Sequence, residues 1–138
     1  MQIASISIIS CSQRMRDAGW KFARAAVSKI DGYVLALTDD IGTTGLGYAH
    51  AIPAITTHGE GARSALELLT PVLAGRRLDE IALIMDEVDR SLAFNYSVKA
   101  AIDMALHDLL ARRLGVPIGL LLGGRVHNEI QQSRILSI

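Results

Sequence analysis

The chain has almost nothing with which to cross-link itself. Cys11 is its only cysteine, so an intramolecular disulfide is excluded and a reducing, cytoplasmic setting is expected. Aromatic residues make up only 4% of the sequence. There is no excess of charge of either sign: Lys plus Arg and Asp plus Glu are both 14. A nucleic-acid-binding domain usually carries a basic excess or stripe, so no nucleic-acid partner is expected. No apolar run approaches the roughly 20 residues that span a bilayer, so no membrane partner is expected either. The N-terminus, "MQIASISIIS", has no basic leader and does not resemble a signal peptide. What is present in quantity is aliphatic: half of the 138 residues are hydrophobic, enough for one domain with its own core.

The periodicity changes once along the chain. Ala4, Ile6 and Ile8 alternate with Ser5 and Ser7, which predicts a strand over Ile3 to Ile9. "SKIDGYVLALT" predicts a second strand. "DDIGTTG" supplies a turn, and Gly45 to His50 predicts a third strand folded back on the second. After Ile55 the spacing becomes helical. Thr57 and Glu60 form a capping-box pattern, and the helix they open is expected to reach Leu69, where Pro71 restarts or kinks it. Leu78, Ile81, Ile84, Met85 and Val88 predict a second helix. A third is expected over Tyr96 to Leu114, closed by Gly115 and barred from continuing by Pro117. "PIGLLLGG" predicts a short fourth helix, and "NEIQQSRILSI" a final strand without an obvious partner. Strands followed by helices mean α+β: a three-stranded antiparallel β-meander, then a bundle of three to four helices.

Residues that could carry chemistry are few. Asp103, His107 and Asp108 lie within six residues on the third helix. Asp103–His107 and Asp108–Arg112 are i, i+4 pairs, which suits the margin of a buried helix better than a metal or catalytic cluster. "GTTGLG" lacks both the dinucleotide-binding glycine pattern and a Walker lysine, so it reads as a hairpin turn. Cys11 has no activating partner nearby in sequence, and no serine sits in a nucleophile elbow. The segment between the first two strands, "CSQRMRDAGWKFARAAV", is different. It is 17 residues long, with Arg14, Arg16, Lys21 and Arg24 against a single Asp17, and it holds the only tryptophan, Trp20. A basic loop with aromatics can grip a small anion. It can equally be a solvated connection.

"GLGYA", "LLTPVLAGR" and, above all, "KAAIDMALHDLLARRLGVPIGLLLGG" together resemble the N-terminal domain of the mandelate racemase and muconate-lactonizing enzyme group of the enolase superfamily. The resemblance covers nearly the whole chain. It implies that residues 1–125 are a capping domain and that 126–138 link it to the first strand of a (β/α) barrel. The barrel itself, about 200–250 residues, is not in this sequence. In such enzymes the barrel carries three acidic Mg²⁺ ligands and the Lys or His bases that remove a proton α to a carboxylate. This chain alone is then expected to be inactive, with no catalytic residue, metal ligand or cofactor of its own. The resemblance assigns substrate contacts to two loops, Ser12–Ala26 and Tyr48–Thr57. The candidates are Arg14, Arg16, Trp20, Lys21, Tyr48 and His50. Family members commonly carry Glu after the second hairpin glycine, where this chain has Gly47-Tyr48. The expected partners are a small carboxylate substrate, the barrel and further copies of the chain. Self-association is expected because the third helix looks too apolar for one small sheet to cover. The competing reading is a non-catalytic module for small anions or protein partners.

Overall fold

The computed structural model describes residues 1–16, 20–22, 25–53 and 55–132, with 20–22 and 25–27 described by their backbone alone. Five strands come first: β1 (Ile3–Arg14), β2 (Trp20–Phe22), β3 (Ala25–Val27), β4 (Lys29–Asp39) and β5 (Thr44–Ala51). Four helices follow: α1 (Gly59–Leu73), α2 (Ile81–Ser91), α3 (Tyr96–Leu114) and α4 (Ile118–Leu121), with a 3₁₀ turn, Leu78–Glu80, leading into α2. The main sheet is antiparallel in the order β1-β4-β5, and β2 pairs with β3 in a separate two-stranded ribbon. This is the expected α+β order, with three sheet strands ahead of the helices.

The first connection is shorter than the sequence suggested. β1 does not stop at Ile9; it stays paired with β4 as far as Arg14↔Lys29. Beyond it, Met15 donates its N–H to the Ser28 carbonyl at 3.0 Å. Trp20↔Val27 and Phe22↔Ala25 then pair across the ribbon. Much of the supposed loop is therefore extended, paired backbone. Alternation in "SCSQR" is polar on both sides, which hid the strand from a reading based on apolar period. The expected final strand falls partly on residues 128–132, which form no strand, and partly on 133–138, which lie outside the described residues.

One face of the sheet is buried. Tyr33, Leu35 and Leu37 of β4 and Ala49 and Ala51 of β5 face the helices. They meet Leu66, Leu69 and Leu73 of α1, Ile84 and Val88 of α2, and Val98, Ile102, Ala105, Leu106 and Leu109 of α3. The expectation that α3 leaves a wide apolar face uncovered is not met over its central turns. Val98, Ala101, Ile102, Ala105, Leu106 and Leu109 are all fully buried. The sheet takes one side of the helix and α1 and α2 take others. On α3 itself Tyr96, Met104 and Leu114 are exposed, and a further stretch of exposed apolar residues follows at Ile118, Leu120, Leu122, Val126 and Ile130.

The approach of α3 to β5 is set by glycine. A side chain at Gly47 would overlap the Ala101 carbonyl, and one at Gly45 would overlap the backbone of Leu109. Small residues on both partners, Gly45 and Gly47 against Ala101 and Ala105, let helix and strand backbones touch. The turn between β4 and β5 uses glycine for its conformation, with Gly42 at φ 89°. Asp39 organises that turn. Its buried carboxylate accepts N–H bonds from Ile41 at 3.1 Å and Thr43 at 2.8 Å, and Arg113 of α3 at 3.0 Å.

Two helix starts and stops differ from expectation. The cap of α1 is His58, whose Nδ1 accepts from the Gly61 N–H at 3.2 Å, in place of the Thr57–Glu60 box. Gly61 has no side chain, and Thr57 fills that space: a Cβ there would meet its hydroxyl at 2.6 Å. α1 also runs through Pro71 to Leu73. Buried Leu69 and Leu73 anchor the last turn on both sides of the proline. Thr70 Oγ1 bonds back to the Leu66 carbonyl at 3.0 Å. α3 ends as expected, with Gly115 at φ 68° donating to the carbonyls of Ala111 and Arg112.

Candidate functional site

The described candidate residues lie along β1 and β5, on the two sides of β4. Register places Arg14 opposite Lys29, Ser12 opposite Asp31, and Cys11 opposite Gly32 on β1 and β4. On the other side of β4, Asp31 lies opposite Ala51, Gly32 opposite His50, and Val34 opposite Tyr48. Side chains alternate across a strand. Because Ala49 and Ala51 are buried against the helices, Tyr48 and His50 stand on the opposite, outer face. Cys11 and Gly32 share that face. Of the six candidates, Arg14 and Arg16 lie at the Arg14–Lys29 end of the sheet, with Arg14 in register on the side of Asp31 and Ala51; His50, opposite Gly32, lies further in on the outer face, and Tyr48, opposite Val34, stands at mid-strand with its hydroxyl reaching back over Gly32. The side chains of Trp20 and Lys21 lie outside the described residues.

Charge at this end is mostly positive. Arg14 and Arg16 are exposed. Lys29 is held by Asp31 at 3.0 Å, which keeps it from repelling Arg14 directly across the ladder. The Ser12 hydroxyl donates to the same carboxylate at 2.7 Å. That hydrogen bond, with help from Lys29, holds Asp31 below the usual carboxylate range.

Tyr48 lies across Gly32. A Cβ at Gly32 would sit 2.6 Å from the Tyr48 hydroxyl and 2.5 Å from the Ala49 carbonyl, so the ring can occupy this place only over a glycine. The hydroxyl is buried and has no hydrogen-bond partner among the described residues. Burial pushes the phenol up, and the neighbouring Cys11 and Asp31 push it the same way. A buried polar group without a partner is uncommon in a native fold and marks a place where a further group fits.

His50 closes the strand. Its carbonyl accepts from Ser97 Oγ of α3 at 2.8 Å and from Thr56 Oγ1 at 3.2 Å. Thr56 also accepts the Ile52 N–H at 3.1 Å. The turn after β5 is therefore clipped both to its own strand and to the start of α3. Beside it lies a cavity of about 280 Å³, lined by Ile55, Thr56, Thr57 and by Phe94 to Val98. Phe94 and Asn95 both have positive φ, 57° and 50°. Neither is glycine, so the backbone entering α3 is held in a costly conformation beside that cavity. Nothing in the one-dimensional pattern marked Ser97, Thr56 or this cavity. They lie 41 residues apart in sequence and are joined only by the fold.

The polar cluster of α3 has other work. Asp108 accepts from the Leu46 N–H at 2.9 Å and from Arg112 Nε at 2.9 Å. It thereby covers an outward-facing N–H on edge strand β5. His107 Nδ1 lies 2.9 Å from the Asp103 carbonyl and 3.3 Å from its carboxylate. Both side chains border a groove of about 440 Å³ whose floor includes Leu78, Ile81, Met85 and Leu121. Lys99, nearly buried, pairs with Asp89 of α2 at 2.8 Å. Each of these is a helix-margin contact. Among the described residues no group of three or more His, Cys, Asp and Glu is placed to hold a metal ion. The described carboxylates are dispersed over strands, turns and helices and do not form the converging oxygen shell that Mg²⁺ requires. No described helix is long and apolar enough to cross a membrane.

Comparison with known proteins gives a consistent result. The family model for the mandelate racemase / muconate lactonizing enzyme N-terminal domain matches residues 5–123. Muconate cycloisomerase 1 of Rhodococcus opacus is 33% identical over 136 residues, which is 93% of this chain and 36% of that protein. L-Lys-D/L-Arg epimerase of Desulforapulum autotrophicum is 33% identical over 123 residues, 86% of this chain and 34% of that protein. The crystal structure of the N-succinyl Arg/Lys racemase of Bacillus cereus superposes with a TM-score of 0.92 at 28% identity. That match covers 100% of this chain and 38% of the racemase. The chain thus spans little more than a third of the length of these relatives.

Proposed function

Since the chain belongs to the mandelate racemase / muconate lactonizing enzyme N-terminal domain family, we propose that it is the substrate-capping part of an enzyme that removes the proton α to a carboxylate. Racemisation, epimerisation and cycloisomerisation are the reactions named for its relatives. The observation that carries this reading is that Arg14 and Arg16 end β1 at the same end of the sheet toward which β5 carries His50 and the Tyr48 hydroxyl, on the two segments that the family resemblance places over the barrel mouth. A cationic edge near an unpartnered hydroxyl suits a small carboxylate. Arg14 and Arg16 would orient it as clamps, and the Ile52–Thr57 turn would close over it and exclude water.

Mg²⁺ and the proton-transferring bases belong, in this reading, to the barrel. No step of the reaction is assigned to this chain's own carboxylates, because they do not converge. Residues from 126 onward serve as the link into the barrel, and the exposed apolar run from Leu114 to Ile130 is where the barrel docks. Left uncovered, that run drives self-association of the isolated chain. The single cysteine and the balanced charge accord with a reducing, cytoplasmic setting.

The test is Arg14→Ala in the protein that joins this chain to its barrel. KM for the carboxylate substrate is expected to rise by about tenfold, with kcat changed far less, as for a group that binds substrate and transition state alike. An unchanged KM contradicts the assignment and favours a module that binds anions or partners without a barrel.

A further inference from the structure

The contact between Ser97 and His50 fixes more than the position of a loop. Ser97 is only 8% exposed, and its hydroxyl is held by protein partners. It has two within reach: the His50 carbonyl at 2.8 Å and the His50 ring nitrogen Nδ1 at 3.3 Å. A serine hydroxyl has one proton. A carbonyl oxygen can only accept, so the short contact takes that proton. The Thr56 hydroxyl at 3.2 Å occupies the second lone pair of the same carbonyl. What remains to Ser97 Oγ is acceptor capacity, and the Nδ1 contact is then a hydrogen bond only if Nδ1 carries the proton. In neutral imidazole a proton on Nδ1 leaves a lone pair on Nε2.

We propose that Ser97 fixes His50 as the Nδ1–H tautomer, so that this end of β5 presents Nε2 as a hydrogen-bond acceptor for a donor group on the substrate, an ammonium, amide N–H or hydroxyl. The substrate half rests on the capping reading; the tautomer half does not. His50 leaves β5 on the same side as Tyr48 with its ring in contact with Ser97 of α3, and among the described residues Nε2 has no hydrogen-bond partner. The residue lies two positions beyond Tyr48, whose hydroxyl lies over Gly32 of β4. The cationic edge around Arg14 and Arg16 suits a carboxylate, and His50 suits the other end of a bifunctional molecule. A substrate whose only polar groups are carboxylates would give Nε2 nothing to bind. Ser97 is a positioning residue in this scheme: it acts through the imidazole and touches no substrate.

The first experiment uses this 138-residue chain as it stands. Two-bond ¹H–¹⁵N correlation of the histidine rings, at a pH where they are neutral, reads each tautomer directly. The expected result is a pyrrole-like Nδ1 and a pyridine-like Nε2 for His50. Ser97→Ala shifts the ring toward the Nε2–H form favoured by free histidine, and Ser97→Thr restores the first state. A pyrrole-like Nε2 in the unaltered chain overturns the tautomer assignment, whatever the protein does. The second experiment uses the barrel-bearing protein. His50→Leu is expected to raise KM by about tenfold, the loss of one buried hydrogen bond, for a substrate with a donor, and to leave KM for its donor-free analogue unchanged. Equal effects on both overturn the acceptor role. Failure of the capping reading looks different: there Arg14→Ala and His50→Leu both leave every KM unchanged, while the ring tautomer is as described.

Discussion

The two sides of β5 are built to different standards. On the helix side, Gly45 and Gly47 lie against α3 so closely that a single methyl group has no room. The nearby polar atoms are paired: Asp39 with two backbone N–H groups and Arg113, Asp108 with Leu46 N–H and Arg112. On the outer side, where Tyr48 and His50 leave the strand, a buried hydroxyl has no partner and the neighbouring turn is held by two serine/threonine hydroxyls. One strand thus serves stability with its even-spaced glycines and alanines and something else with the residues between them. A surface selected only for stability would not retain an unpaired buried hydroxyl, whose desolvation costs about 1–3 kcal/mol.

The contrast is tested most severely at Asp39. Its carboxylate is fully buried. Burial alone would raise its pKa, but the Thr43 and Ile41 N–H groups and Arg113 outweigh burial and hold it below the ordinary value. Asp39→Ala should cost about 3–5 kcal/mol, the range for breaking a buried charged pair, read as a lower urea midpoint. The pH dependence follows from the direction of the shift. A carboxyl whose folded pKa is depressed contributes its full stabilisation above the unfolded value of about 3.9 and loses it as pH falls through the lower folded value. Unfolding of the native chain should therefore steepen below about pH 4, and Asp39→Asn should flatten that part of the profile.

Gly47→Ala comes next. The new methyl group meets the Ala101 carbonyl, so α3 must move away from β5, at about 1–3 kcal/mol. A thermal midpoint equal to the parent's would mean that the helix–strand approach is not set by glycine. Asp108→Ala should cost less, about 1–2 kcal/mol, because the freed Leu46 N–H is partly open to water. Tyr48→Phe, on the outer side, is the smallest. Removing an unpaired hydroxyl should leave stability within about 0.5 kcal/mol or raise it slightly. A loss as large as that of Gly47→Ala would erase the distinction between the two sides.

The same contrast decides what could be read from the sequence. The helix side was legible because burial imposes period: Leu78, Ile81, Ile84, Met85 and Val88 predicted α2, and Gly115 the end of α3. Gly45 and Gly47 were seen as part of a turn, because their packing role depends on a helix more than fifty residues away. The Thr57–Glu60 box was a sound local pattern, displaced by one residue when His58 found the N–H first. Of the candidate site, Arg14 stood out within the basic loop of the sequence, whereas Tyr48 and His50 were reached through the family resemblance and not through any local pattern. Ser97 and Thr56 were missed: a serine near a helix start already has a local explanation, and its use across the fold leaves no trace in spacing.

The central claim is that this chain shapes and closes a site but carries no proton-transfer chemistry itself. The most direct measurement is α-proton exchange in D₂O, followed by ¹H NMR, on small carboxylates including amino-acid derivatives, with and without added Mg²⁺. The chain alone should leave the α-proton signal intact under both conditions, whereas the same chain joined to its barrel should wash it out when Mg²⁺ is present. Mg²⁺-dependent loss of that signal with the chain alone would contradict the account.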